Sequence, residues 1–379
     1  MDRNAVRRAL AALAALLGLA PAGVPAQGAP IVLGQTIALT GGPSEHGKAV
    51  VAGAQLYFDK VNRDGGVGGR KIALRTLDDG GDSKRAAQNT AQLIDDDKVA
   101  ALFGGIEGGP CVASMKVAAE KRVPLVACMA GSPELREPFQ RYVFPVRAAH
   151  YDEFARLIDI ATTYGHRSFA FLHSDSDTGR QHLANVRKLL AARGLELAAA
   201  IALSGKPEPA KIAQALKAQA IDAMFNHGSY AVYAQIITES RKLGLQTQFM
   251  AVNSGAQQMV QLLGKQAAGV IFTQVVPYPW TGVPAVVKEF RDAAGARSPA
   301  TEVSFSALEG YVSAKVMVEA LRRAGSARKA TERETLVAAL ESMARYDLGG
   351  MEVSFTPLAH RGSEFVDIVV VATDGRFVR

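Results

Sequence analysis

The sequence predicts an α/β fold of two doubly wound parallel-sheet lobes, on three observations. From residue 31 onward, short apolar runs alternate with segments whose apolar residues recur at helical spacing, and the connections between them are short. The alternation restarts near residue 150, which gives two such units. About 350 residues remain once an N-terminal leader is set aside, too many for one compact core.

Residues 31–39 read as the first strand. Val50, Ala54, Tyr57, Phe58 and Val61 then share one face of a helix that starts near His46. The run Asn62-Arg63-Asp64-Gly65-Gly66-Val67-Gly68-Gly69 ends that helix, because glycine accepts the positive φ of a helix exit. Strand 72–77, helix 84–95, strand 99–103, helix 111–121 and strand 125–128 complete the first unit. Residues 144–150 join it to the second: helix 152–164, strand 169–173, helix 178–193, strand 195–203, helix 210–219, strand 221–226, helix 230–242, and strands 249–252 and 270–275. The segment Pro277-Tyr278-Pro279-Trp280-Thr281-Gly282-Val283-Pro284 is stiff and extended, and reads as a second crossing between lobes that buries Trp280 to dock itself. Helices 285–294, 306–324 and 332–344 and strands 351–355 and 365–371 close the chain, with a turn at residues 373–376.

The leader, residues 1–26, has Arg3, Arg7 and Arg8 before an uncharged run at 9–20, then Val24-Pro25-Ala26 with small residues at a cut site. That order is a cleaved secretory signal and implies a periplasmic protein. The apolar run is shorter than the roughly 20 residues a membrane span needs. With no cysteine near the cut, a lipid anchor is not expected. Formal net charge is +7, part of it in the leader, and Lys and Arg are otherwise dispersed among acids. No basic stripe interleaves with aromatics, so nucleic acid is not an expected partner. The two cysteines, Cys111 and Cys128, fall in the first turn of a helix and at the end of the next strand, on one edge of a parallel sheet. They can form a bridge there or stay as two buried thiols.

Several stretches together resemble the type I periplasmic binding proteins, and within them the leucine/isoleucine/valine-binding branch of ABC importer receptors. They are Leu39-Thr40-Gly41-Gly42-Pro43 with His46-Gly47, Gly53-Ala54 with the glycine turn and Arg70-Lys71-Ile72, Asp78-Asp79 with Ala86-Ala87, Gly104-Gly105, Ser132-Pro133-Glu134-Leu135, and Gly244-Leu245 through Gln248-Phe249-Met250. The resemblance implies lobes of residues 30–146 plus about 278–353 and 147–277 plus about 354–379, joined by three crossing segments, the third near 354–362. It also implies hinge closure on a small-molecule ligand (an amino acid, amide or organic acid), delivery to ABC transporter permease subunits, a monomer, and no cofactor.

Ligands of open parallel sheets sit at the carboxyl ends of the strands. There the loop Gly104-Gly105-Ile106-Glu107-Gly108-Gly109-Pro110 opens a helix whose first amides suit an anion, although the same pattern also fits an ordinary strand-to-helix turn. The resemblance places a ligand carboxylate near Gly108, Gly109 and Cys111, beside Met129, Ala130 and Gly131. Gly108 stands where the amino-acid binders have a serine, and Gly131 where they have a threonine. Asn253 stands at the acidic residue that meets the α-ammonium, Thr178 at a cleft tyrosine and His46 at an aromatic residue, while Tyr230 matches. A buried ammonium without its carboxylate costs several kcal/mol, so plain leucine-like ligands are disfavoured unless Glu107 supplies the acid. The two glycines are expected to enlarge the pocket.

Other polar residues read blandly. His150 with Asp152 and Glu153 lacks a second histidine at metal-ligand spacing and reads as a solvated helix start. His173, Asp175 and Asp177 read as loop and cap groups, and no metal site is expected. An exported hydrolase is the main competing class, but Asn253-Ser254-Gly255 lacks the first glycine of a nucleophile elbow, and His-Glu-x-x-His and Gly-Lys-Ser/Thr are absent. A sensor built on the same fold is the second alternative.

Overall fold

The computed structural model describes residues 28–253, 255–325 and 331–379. The leader reading at residues 1–26 lies outside them. The first unit runs β1 (Ile31–Ile37), α1 (Ser44–Arg63), β2 (Ile72–Asp78), α2 (Ser83–Asp95), β3 (Ala101–Phe103), α3 (Gly108–Glu120), β4 (Leu125–Val126), β5 (Val143–Phe144). The second runs α4 (His150–Thr163), β6 (Phe169–Ser174), α5 (Asp177–Ala191), β7 (Leu197–Leu203), α6 (Pro209–Ala218), β8 (Ala223–His227), α7 (Tyr230–Lys242), β9 (Gln248–Ala251), α8 (Ala256–Leu263), β10 (Ile271–Gln274). Then come α9 (Ala285–Gly295), α10 (Phe305–Arg323), α11 (Arg333–Glu341), β11 (Tyr346–Asp347), β12 (Glu352–Thr356), β13 (Ala359–Gly362), β14 (Asp367–Val371) and β15 (Phe377–Val378). No helix among the described residues is long and apolar enough to cross a membrane.

Two parallel sheets form, as the alternation predicts. One has the order β2-β1-β3-β4-β5, the other β15-β14-β10-β9-β8-β6-β7, in which β14 runs antiparallel to both of its neighbours, β10 and β15. Helices cover these strands, which is why β1, β3 and β6 read as almost unbroken apolar runs. The glycine turn behaves as its composition demands: Gly65, Gly66, Gly68 and Gly69 all have positive φ, and the Asn62 side chain grips both backbone groups of Ile72 to start β2.

After β10 the chain returns to the first sheet, where α10 packs on α1 and buries most of its surface. The approach is backbone to backbone. A Cβ on Gly53 would stand 1.8 Å from the Ala307 carbonyl oxygen, and one on Gly310 2.1 Å from that of Val50. Residues 277–284 make this crossing, with Tyr278 Oη donating to the Phe377 carbonyl at 2.7 Å. Trp280 is not buried as expected: it is 37 % exposed, packs edge-on against Tyr278 and Phe305, and lines an outer groove of about 430 Å³ with Val260 and Arg376.

Residues 354–362, the expected third crossing, instead belong to the β12–β13 hairpin. His360 Nδ1 meets the Val143 carbonyl at 2.8 Å, which holds the hairpin on β5, and the passage to β14 follows at residues 363–366. Helix α8 and the short strands β5, β11, β13 and β15 also escape the sequence reading, because segments of two to eight residues carry too little periodicity.

Candidate functional site

The carboxyl ends of the two parallel sheets face each other, and side chains close the gap. Thr178 Oγ1 on α5 donates to Glu134 Oε1 across it. Arg147 Nη2 donates to Asn253 Oδ1 at 2.9 Å. The Tyr230 hydroxyl lies 3.7 Å from where a Cβ of Gly42 would sit. Residues far apart in sequence thus line one space.

On the five-stranded side the site is built from backbone. Gly104 and Gly105 turn the chain with φ of 73° and 102°, and Glu107 caps α3 at φ 64°. The first-turn amides of α3 have no intrahelical acceptor and carry the positive end of the helix dipole. Cys111 and Cys128 are bridged, Cα atoms 5.9 Å apart, so the start of α3 is tied to the end of β4. Burial raises the Glu107 carboxyl, Asp79 raises it further, and only Arg147 opposes, so it leans toward its neutral form.

The expected enlargement at the two glycines does not occur, because neighbours fill the space. A Cβ on Gly131 would lie 2.4 Å from the His150 ring and 2.6 Å from its backbone nitrogen. One on Gly108 would lie 2.6 Å from Ser132 Oγ. That serine is 1 % exposed and its hydroxyl has no protein partner, so a hydroxyl stands beside position 108 although residue 108 lacks one. Met129 packs its side chain with Ile37, Val50 and Ile106, and its amide donates to the Gly105 carbonyl; the Ala130 amide donates to that of Cys128. Neither amide is free for a ligand.

On the seven-stranded side the site is built from buried charge. Arg147, on the first crossing, is 4 % exposed and pairs with Glu153 Oε1, which is fully buried. Glu153 Oε2 in turn accepts from the Asn253 amide at 3.1 Å and from Thr273 Oγ1. From the five-stranded side, Glu309 on α10 lies 3.9 Å from Arg147 Nη1, and its Oε1 has no hydrogen-bond partner. Burial raises the Glu309 carboxyl, against the pull of Arg147. Asn253 therefore does not stand alone in place of an acid; it belongs to an Arg–Glu network. His46, Asn253, Gln274, Ser306 and Glu309 enclose a cavity of about 30 Å³, and burial, with Arg147 close by, lowers His46 to about 4.

The histidines correct the bland reading. His150 does start α4, where Asp152 accepts from the Ala149 amide, but its side chain is buried, not solvated. His182 on α5 and His227 at the end of β8 join it, with His150 Nδ1 3.3 Å from His182 Nε2 and 2.9 Å from His227 Nε2. Burial holds all three rings neutral, with His182 lowered to about 2 and His227 to about 4. His173, also buried, contacts its own loop through the Ser174 carbonyl, Ser176 rather than an aspartate caps α5, and Asp175 and Asp177 pair with Arg180 at the surface.

Sequence spacing missed Arg147, Glu153, His182, His227 and Glu309. A signal existed for two of them. Glu309 interrupts the apolar helix Phe305–Arg323, and His182 sits one turn before Val186 on the buried face of α5. A charge or an imidazole on a core face needs a partner.

The architecture has many relatives. A solved substrate-binding periplasmic protein from Ralstonia solanacearum is 29% identical, with a TM-score of 0.81 over 92% of this chain and 99% of that one. The Leu/Ile/Val-binding protein homolog 7 of Brucella abortus (strain 2308) is 25% identical over 85% of this chain and 83% of its own. The Leu/Ile/Val-binding protein BraC3 of Rhizobium johnstonii is 32% identical over 126 residues, 33% of this chain, and the match spans about a third of BraC3's length, 34%. The profile of the periplasmic binding protein family matches residues 30–376, all of the five-stranded sheet and all but the last short strand of the seven-stranded one, and the chain belongs to that family.

Proposed function

We propose that this protein is an extracytoplasmic receptor that traps a small solute between its two sheets and passes it, chemically unchanged, to the permease of an ABC importer. The solute has an amino-acid-like polarity, with an anionic group on one side and hydrogen-bond donors on the other. The observation that carries this reading is the start of α3. Its Gly108 and Gly109 amides have no carbonyl earlier in the helix to bond, and Ser132 Oγ, a buried hydroxyl without a partner, lies next to Gly108. A carboxylate there would accept from both.

In the small cavity, Glu309 Oε1 and the Asn253 side chain offer acceptors for an ammonium or amide. Glu309 thus places, from α10, a carboxyl beside the amide side chain at position 253. The bridged cysteines suit an oxidising compartment. Relatives named as Leu/Ile/Val-binding proteins support an amino-acid-like solute. A cavity of about 30 Å³ holds no more than a water or two, so solute entry requires the sheets to part.

Mass spectrometry of solute released from natively purified protein, followed by calorimetry with amino acids, their amides and organic acids, tests the proposal. A ligand whose methyl ester binds at least roughly tenfold more weakly, and which compacts the protein in solution scattering, is expected. Unchanged scattering with every solute, together with turnover of any of them, would overturn it.

A further inference from the structure

The three buried imidazoles take no part in the anion site at α3. We propose that His150, His182 and His227 form a binding site for a divalent transition-metal ion of the zinc type, with a fourth position open to water or a donor atom of the solute. One ring nitrogen from each residue converges, and all three lie within 4.8 Å of one another. Zinc–nitrogen bonds of about 2.0–2.1 Å at tetrahedral angles put neighbouring donors roughly 3.3 Å apart. The contacts of His150 Nδ1, at 3.3 Å and 2.9 Å, already have that scale.

Hydrogen bonding alone does not explain the convergence. His150 Nδ1 carries one proton or one lone pair in the ring plane, so it can serve one of its two neighbours well and not both. A metal ion accepts a lone pair from all three. Burial already keeps the rings in the neutral form that ligation needs. Three imidazoles with no thiolate suit zinc, nickel or copper rather than calcium or magnesium. Behind His150, Glu153 Oε1 lies 3.9 Å from Nε2, the acidic neighbour that orients many metal-bound histidines. The outer nitrogens of His182 and His227 are buried without a protein partner. Arg147 and Arg136 lie close enough to disfavour a cation, so an anionic fourth donor would balance the site.

The test uses the exported chain, purified natively, stripped with a chelator and titrated with Zn²⁺ and separately with Co²⁺. One equivalent per chain is expected, with a tetrahedral Co²⁺ ligand-field band in the visible and a Zn²⁺-dependent rise in Tm. His182→Gln and His227→Gln are expected to weaken binding by at least roughly tenfold, and His166→Gln to leave it unchanged. A native protein that binds less than one equivalent, shows no such band, or binds as well after both substitutions overturns the site. Should the variants not fold, the Co²⁺ spectrum of the native protein decides alone, and its absence overturns the site as well.

Discussion

The loops of the five-stranded sheet and those of the seven-stranded sheet face the same space but are built from different materials. The first side is glycine and amide, pinned by the Cys111–Cys128 bridge, with Glu107 at the N-cap position of the helix. The second is side chain, with Arg147, Glu153, His150 and His182 buried and Asn253 and His227 half-buried beside them. Backbone donors come preorganised by the turn that makes them and cost little when no ligand is bound. Buried ionisable groups must satisfy one another first, so each depends on its partners. One side should therefore tolerate substitution poorly where space is tight, the other where charge is left unpaired.

The largest effect is expected from Glu153→Leu, which strands the Arg147 guanidinium in the interior and should cost about 3–5 kcal/mol in urea unfolding. A loss under about 1 kcal/mol would mean that Arg147 reaches water and that the contrast between the sides is false. Next, replacing both cysteines by alanine frees a loop closed over a sequence separation of 17 and should remove about 3 kcal/mol, read as a lower Tm for the variant than for the oxidised protein.

A pair of substitutions sharpens the comparison within the glycine side. Gly131→Ala collides with the His150 backbone and ring and should cost about 1–3 kcal/mol. Gly108→Ala meets only the Ser132 hydroxyl, which can rotate, so its stability loss should be under about 1 kcal/mol while ligand affinity falls. Equal losses in the two unfolding curves would remove the distinction.

The smallest effect is in pH. Partial burial pushes the Asp78 carboxyl up, but the Thr40 hydroxyl and the amides of Leu39, Gly80 and Thr40 outweigh it and hold it at about 2, below the ordinary 3.8. A depressed folded-state value means stability present above the unfolded value and lost as pH falls from about 4 toward 2. Asp78→Asn should flatten that part of the acid unfolding profile by about 1 kcal/mol, a small effect because water screens the group. An unchanged profile would show that the first loop is held by something else.

How far the sequence could be read follows the same division. Alternating apolar runs were enough for both sheets, and the glycine turn at residues 62–69 for the exit of α1, because these depend on neighbours in the chain. The opening of α3, with Glu107, Gly108 and Gly109, was legible for the same reason. Whether Cys111 meets Cys128 was left open and needed the sheet to be folded.

His150, His182 and His227 lie 32 and 77 residues apart in sequence, and Arg147 and Asn253 106, so no local spacing announces either cluster. Even the vacant side of Gly131 misled, since only the packed structure shows His150 filling it. Local chain chemistry determined the elements, their order and the glycine loop that opens α3. The charged and imidazole clusters were decided by tertiary structure, because a parallel sheet gathers at one edge the loop residues that follow strands scattered along the chain.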